Sequence, residues 1–309
     1  LSLLTICQQV ARSIPIAVPG TVVNNSDGTA QLLLACAQDE GEALARRRPG
    51  GWAAMQTEYT FQTVAITSTG TVTAGSAVVT GIPSTTGISA TTFYAFVTGL
   101  PNNTRVLSVD SSTQVTLTAA ATASASGTQI VFAKSEYALP SDYERPIDGT
   151  FWDRSRYWQM RGALSPQQWQ LYKSSILGSA VTVQRRYRIR NVGGTVYLSI
   201  DPPPQDNGST LVWEYVSNAW CRSVAGTPQT SWQADSDTGI LDEYLIRLGV
   251  KWRVLERLGM SYEAALNEYQ EQVDKAVAHD GGTQVIDMVQ MNRTALVGSY
   301  NVQDGNFPG

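Results

Sequence analysis

DTGILDEYLIRLGVKWRVLERLGMSYEAALNEYQEQVDKAVAHDGG, residues 237–282, reads as two amphipathic helices in succession. Its first half places Leu241, Tyr244, Leu245, Leu248, Trp252, Leu255 and Leu258 at helical spacing. Its second half does the same with Tyr262, Ala265, Leu266, Tyr269, Val273, Ala276 and Val277. The link Leu-Gly-Met-Ser stops one helix and starts the next. Gly259 suits a left-handed C-terminal cap, and Ser261 suits an N-cap with Glu263 in the first turn. So short a link predicts an antiparallel hairpin, with Trp252 buried in it and Gly281-Gly282 closing it.

Outward from this hairpin, seven further stretches stand in a fixed order. An N-terminal helix over about residues 2–13 is followed by a second over about 27–48, which Asp27 can cap and which ends in EGEALARRRPGGW (40–52). Then come a strand, MQTEYTFQTVA (55–65), and EYALPSDYERPIDGTFWDRS (136–155). LSPQQWQLYK (164–173) starts a short helix with Pro166 at its first position, and Trp169, Leu171 and Tyr172 are its expected anchors. A basic hairpin, RRYRIRNVGGTVYLSIDPPP (185–204), precedes VWEYVSNAWC (212–221). This order resembles the head-to-tail adaptor, or connector, proteins of tailed bacteriophages, over residues 1–65 and 136 to about 288.

The resemblance implies a structural virion protein of the capsid portal vertex, assembled in the host cytoplasm. Its expected partners are further copies of itself in a dodecameric ring, the portal protein above and a tail or nozzle protein below. DNA would pass through the channel without sequence-specific contact during packaging and ejection. The implied fold class is α+β. A helical adaptor core, of N-terminal helices plus the C-terminal hairpin, would carry β-hairpins and an inserted all-β sandwich-like domain. The implied domains are a discontinuous core (1–62 and 134–282), the insertion (63–133) and an extended C-terminal arm (283–309). The alternative is a tail- or fibre-associated protein whose β domain contacts a receptor or carbohydrate.

The chain has 309 residues, 42% hydrophobic and 16% charged, with a formal net charge of −4. It can bury a large core, and no overall basic field is available to grip nucleic acid. Between Thr63 and Ala133 only Arg105 and Asp110 are charged. Alternating runs there (GTVTAGSAVVTGI, TRVLSVD, TQVTLTA, TQIVFA) read as short strands of a small sandwich or barrel, separated by turns such as Leu-Pro-Asn-Asn. Cys7, Cys36 and Cys221 are read as buried free thiols. No secretory signal and no membrane-spanning run are expected.

Two arginine clusters are candidate interface sites. Arg46, Arg47 and Arg48 fall at the end of the second helix, where they suit its dipole and could meet an acidic partner. In the basic hairpin, Gly193-Gly194 makes a two-residue turn, which sets Ile189 opposite Leu198 and Tyr187 opposite Ile200 on one apolar face. Arg186, Arg188 and Arg190 then form a stripe on the other face, available to acidic portal or neighbouring surfaces.

No enzyme is expected, and neither a metal nor a cofactor. His279 is the only histidine and stands near a helix end. No zinc spacing, Walker loop, G-x-S-x-G or G-x-G-x-x-G occurs. Asp201, Glu214, Asp235, Asp237, Asp242 and Glu243 remain as carboxylates, and Asp235 and Asp237 are read as the acidic lead-in to a helix. After Gly282 the packing period stops. Val285, Ile286, Met288, Val289, Met291, Leu296, Val297 and Tyr300 read as anchors of an arm that reaches a neighbour or the portal, the alternative being a tail folded back on its own domain.

Overall fold

The structure is a computed structural model that describes residues 1–48, 50–174 and 184–280. The expected arm, including its anchors Val285, Ile286, Met288, Val289, Met291, Leu296 and Tyr300, lies outside the described residues, as does Gly281-Gly282.

The expected α+β fold on a helical core is corrected. Strand outweighs helix, 32% to 28% among the described residues, in several antiparallel sheets with five helices. Some of this strand comes in pieces too short for alternation to betray them, such as Trp152–Asp153, Trp158–Gln159, Cys221–Arg222 and Thr238–Gly239.

Contacts divide the chain into two units. The first holds Leu1–Thr57, Ser141–Pro146 and the described residues from Glu214 on. The second holds Glu58–Pro140 and the described residues between Ile147 and Trp213.

In the first unit four helices pack together: α1 (Leu3–Ser13), α2 (Gly28–Arg47), α4 (Glu243–Arg257) and α5 (Glu263–His279). The buried residues of α2, Ala30, Leu33, Cys36, Ala37, Glu40, Gly41 and Leu44, repeat at three- and four-residue steps, which puts them on one face. α4 buries Leu245, Ile246, Leu248, Gly249, Val250 and Val254, and it touches α1, α2 and α5. Ser2, Asp27 and Asp242 each cap a helix by accepting an early backbone N–H. Gly259 takes a positive φ of 68° after α4, the conformation a glycine reaches without strain.

Two details of the hairpin differ from expectation. α5 begins after Tyr262, which makes no side-chain cap, so Ser261 is not the N-cap. Trp252 is only half-buried: it lies 6.2 Å from the Tyr269 ring, with the Arg253 guanidinium 4.7 Å above it. Asp235 and Asp237 do not lead into a helix either. Asp235 accepts from Val22 N (3.0 Å) and Val23 N (2.7 Å), and Asp237 from Gln233 N and Ala234 N, both at 2.8 Å.

The second unit contains a barrel, one of the two forms expected from the alternating runs. Its antiparallel sheet runs in the order Phe93–Phe96, Ala125–Lys134, Ala65–Val72, Val78–Thr80, Gln114–Leu117, Val106–Ser111. The two ends of that order meet. Thr91 N donates to Val106 O (2.9 Å) and Ala95 N to Thr104 O (3.0 Å), beside a bridge between Tyr94 and Arg105. Closure leaves no long free edge, a state open sheets reach only with charges or covers. Val72, Val79, Phe93, Val106, Val115, Leu117, Ile130 and Phe132 fill the interior. A Cβ on Gly70 would come within 2.9 Å of Ile130 Cδ1, so the glycine makes room for that packing. The two ends of the barrel segment are adjacent, since Lys134 N donates to Val64 O at 2.9 Å.

Next to it in the same unit, Arg186–Val192 pairs with Thr195–Asp201, which pairs with Glu136–Ala138. The register is the expected one, Ile189 with Leu198 and Tyr187 with Ile200, and Gly193 and Gly194 both have positive φ. The short helix α3 (Pro166–Ser174) starts at Pro166, with Gln168 N donating to Ser165 Oγ and Ser165 N to Gln168 Oε1. Trp169 is buried, but Leu171 is 64% exposed and anchors nothing within the described chain.

Candidate functional site

The two arginine clusters have different fates. In the hairpin, Arg190 Nη2 donates to Glu136 Oε1 at 2.6 Å, and its Nε donates to Ser199 Oγ at 2.7 Å. Glu136 is fully buried and also takes Arg105 Nη2 at 2.6 Å, from the barrel. Arg186 is buried, with its guanidinium 3.8 Å from the Tyr172 ring centroid and Nη1 3.9 Å from Asp201 Oδ2. Asp201 in turn accepts from Lys173 Nζ at 2.6 Å. Lys173 and Arg190 both lie over Trp169, and Lys173 and Arg105 both lie over Tyr94. The expected surface stripe is therefore corrected at Arg186 and Arg190: both are spent in an internal network of ion pairs and cation–π contacts. Arg188 remains half-buried. The sequence hid this because Glu136, Trp169, Tyr172 and Asp201 come from three separate segments.

The other cluster stays at the surface. Arg46 and Arg47 are exposed at the end of α2, where cations suit the helix dipole. Arg48 is half-buried and its Nη1 pairs with Asp280 Oδ2 at the end of α5. The same carboxylate oxygen accepts from Ala53 N at 3.0 Å. Trp52 Nε1 donates to Leu44 O at 2.7 Å and so satisfies one of the last carbonyls of α2. Gly51, at φ 75°, lets the chain turn there, since a Cβ would come within 2.8 Å of Val216.

Beside this turn the first unit holds a pocket of about 350 Å³. Leu44, Trp52, Leu241 and Leu245 are its buried floor, and Ala54, Ala276, His279, Asp242 and Asp280 stand around it. Sequence reading found the arginines here but missed the pocket. Leu245 reads as part of the hairpin's apolar face, and nothing local to Leu44 or Trp52 marks a cavity.

The remaining carboxylates are not gathered for chemistry. Asp242 caps α4, Glu243 pairs with the Leu1 amine, Glu214 is exposed, and Asp201, Asp235 and Asp237 are occupied as described. Among the described residues no group of three or more His, Cys, Asp or Glu side chains could hold a metal. Cys7, Cys36 and Cys221 are buried and free, and burial pushes the thiols of Cys7 and Cys221 up to about 12. No described helix is long and apolar enough to cross a membrane. No protein-family model and no curated protein matches the sequence.

Proposed function

We propose that this chain is a structural head-to-tail adaptor of a tailed phage. It would form a ring on the portal, extend the DNA channel, and offer a platform to the tail or nozzle at the capsid vertex. The observation that carries the reading is the order of the sequence stretches from the N-terminal helix to the helical hairpin. The geometry is of a kind suited to holding a partner. Exposed Arg46 and Arg47 stand on the helix that contributes Leu44 to an apolar pocket, whereas Arg186 and Arg190 are engaged internally. An acidic partner surface would complement those two arginines, which set register and association rate more than affinity.

The test is symmetry at the vertex. Cryo-electron microscopy of particles carrying this chain should show it in twelve copies around the DNA channel, between portal and tail. Threefold copies, or a location on fibres away from the vertex, would overturn the reading.

A further inference from the structure

We propose that this chain cross-links itself: the Lys173 amine and the Asn103 side-chain amide condense to an isopeptide bond, with Asp201 as the proton carrier. Three segments of the second unit bring these groups together. Asn103 comes from the turn before Val106–Ser111, Lys173 from the end of α3, and Asp201 from the end of the strand Thr195–Asp201. Lys173 Nζ donates to Asp201 Oδ1 at 2.6 Å and lies 3.4 Å from Asn103 Oδ1. Asn103 Nδ2 donates to Lys173 O at 2.9 Å, which holds the amide against the lysine. Asn103 stands at a positive φ of 62°, a conformation asparagine tolerates better than most residues. The side chains of Lys173 and Asp201 are only 13% and 7% exposed. The Tyr94 and Trp169 rings lie 4.7 and 5.2 Å from Nζ and wall the amine in. Arg186 Nη1, 3.9 Å from Asp201 Oδ2, steadies the oxygen that does not face the lysine. An amine, an amide and a carboxylate are thus held against one another, the arrangement that makes a slow reaction between molecules feasible within one.

The step balances with no further reactant. Asp201 takes a proton from the ammonium and leaves a neutral amine as the nucleophile. Nζ moves from the oxygen edge of the amide to its face and bonds to Cγ of Asn103. Of the three protons that Nζ carried, one stays in the new amide. The other two pass by way of Asp201 to Nδ2, the Cγ–Nδ2 bond breaks, and that nitrogen leaves as ammonium. Asp201 ends as the carboxylate it began as, and no oxidant or reductant takes part. Asn103 is half-buried, so the leaving group has a way to solvent. The bond would tie the barrel to α3 covalently.

This bond does not rest on the adaptor reading. The test is the intact mass of the full chain, held at neutral pH until that mass is constant, followed by tryptic digestion. The expected mass is that of the sequence less one ammonia, with a branched peptide that joins Asn103 to Lys173. Lys173→Arg keeps a cation beside Asp201 but offers no primary amine, so it should show the full mass of its sequence. On a denaturing gel the linked native chain should run ahead of Lys173→Arg, because the closed loop keeps the unfolded chain smaller. Asp201→Asn, which keeps the shape but cannot carry the proton, should link at least about a hundredfold more slowly. A native chain at full sequence mass overturns the proposal. So does a chain lighter by one ammonia without the branched peptide, which is what an asparagine closing on its own backbone gives. Linking of Asp201→Asn at the native rate overturns the part given to Asp201.

Discussion

Gly249 on α4 faces the carboxylate of Glu40 on α2 so closely that a Cβ at 249 would overlap it. Glu40 is fully buried, and Arg253 Nε, one helical turn beyond Gly249, donates to its Oε2 at 2.9 Å. Tyr269 of α5 lies close enough to this carboxylate to act on its charge. One acidic side chain thus joins three helices, and a missing side chain makes the space for it.

Gly249→Ala should therefore destabilise the protein although alanine is the better helix former. The propensity gain is about 1 kcal/mol, and overpacking costs roughly 1–3 kcal/mol. In a Glu40→Ala background the clash is gone and the same substitution should become neutral or stabilising. Urea unfolding of the four proteins of this cycle reads the sign directly. An unchanged effect of Gly249→Ala in both backgrounds would show that the two residues do not compete for space.

Glu40 also gives a pH dependence. Burial raises its carboxyl above the ordinary value of 4.5, and Tyr269 and Arg253 offset this only in part. The folded state thus holds the proton more tightly than the unfolded one. Its contribution is most favourable below about pH 4.5 and is lost as pH rises through the folded-state value, by roughly 1.4 kcal/mol per unit of difference. Glu40→Gln should flatten this limb. Stability of the native protein relative to the Gln variant should fall as pH rises from 4.5, and a difference constant with pH would remove Glu40 as the cause.

The helices of the first unit were legible because their signals are local. Asp27, Gly259 and the apolar spacing of α4 and α5 each act within a few residues of where they stand. The hairpin register was legible for the same reason, through Gly193-Gly194. What sequence reading missed depends on distant partners. The barrel closes through Tyr94 and Arg105, and the strand Phe93–Phe96 that makes this possible lies in an apolar run without alternation. The balance of strand over helix rests partly on two-residue strands, which have no period. Arg186 and Arg190 looked like surface because half a hairpin face is polar, and nothing in their own segment names Glu136.

Glu136 should be costly to replace. It is fully buried between Arg105 and Arg190, which are 23% and 20% exposed. Glu136→Gln keeps the shape but leaves two guanidinium groups without their counter-charge. The expected loss is about 2–4 kcal/mol, somewhat below that for a wholly buried pair because water still reaches the arginines. Chemical denaturation measures it, and a loss under about 1 kcal/mol would mean that solvent already carries most of the charge.

The two arginine clusters should separate cleanly when each is removed. Arg186→Ala and Arg190→Ala delete partners of Tyr172, Ser199 and Glu136, so they should lower stability. For Arg190→Ala the loss should be about 1–3 kcal/mol, because the buried Glu136 loses a donor. Arg46 and Arg47 are exposed, and their joint replacement by alanine should change stability by less than about 0.5 kcal/mol. If an acidic partner surface meets the end of α2, that same double variant should associate more slowly with it, and the difference should shrink as salt is raised. Stopped-flow association with the portal protein at low and high ionic strength reads both effects. Rates equal to those of the native chain at low salt would remove Arg46 and Arg47 from the interface.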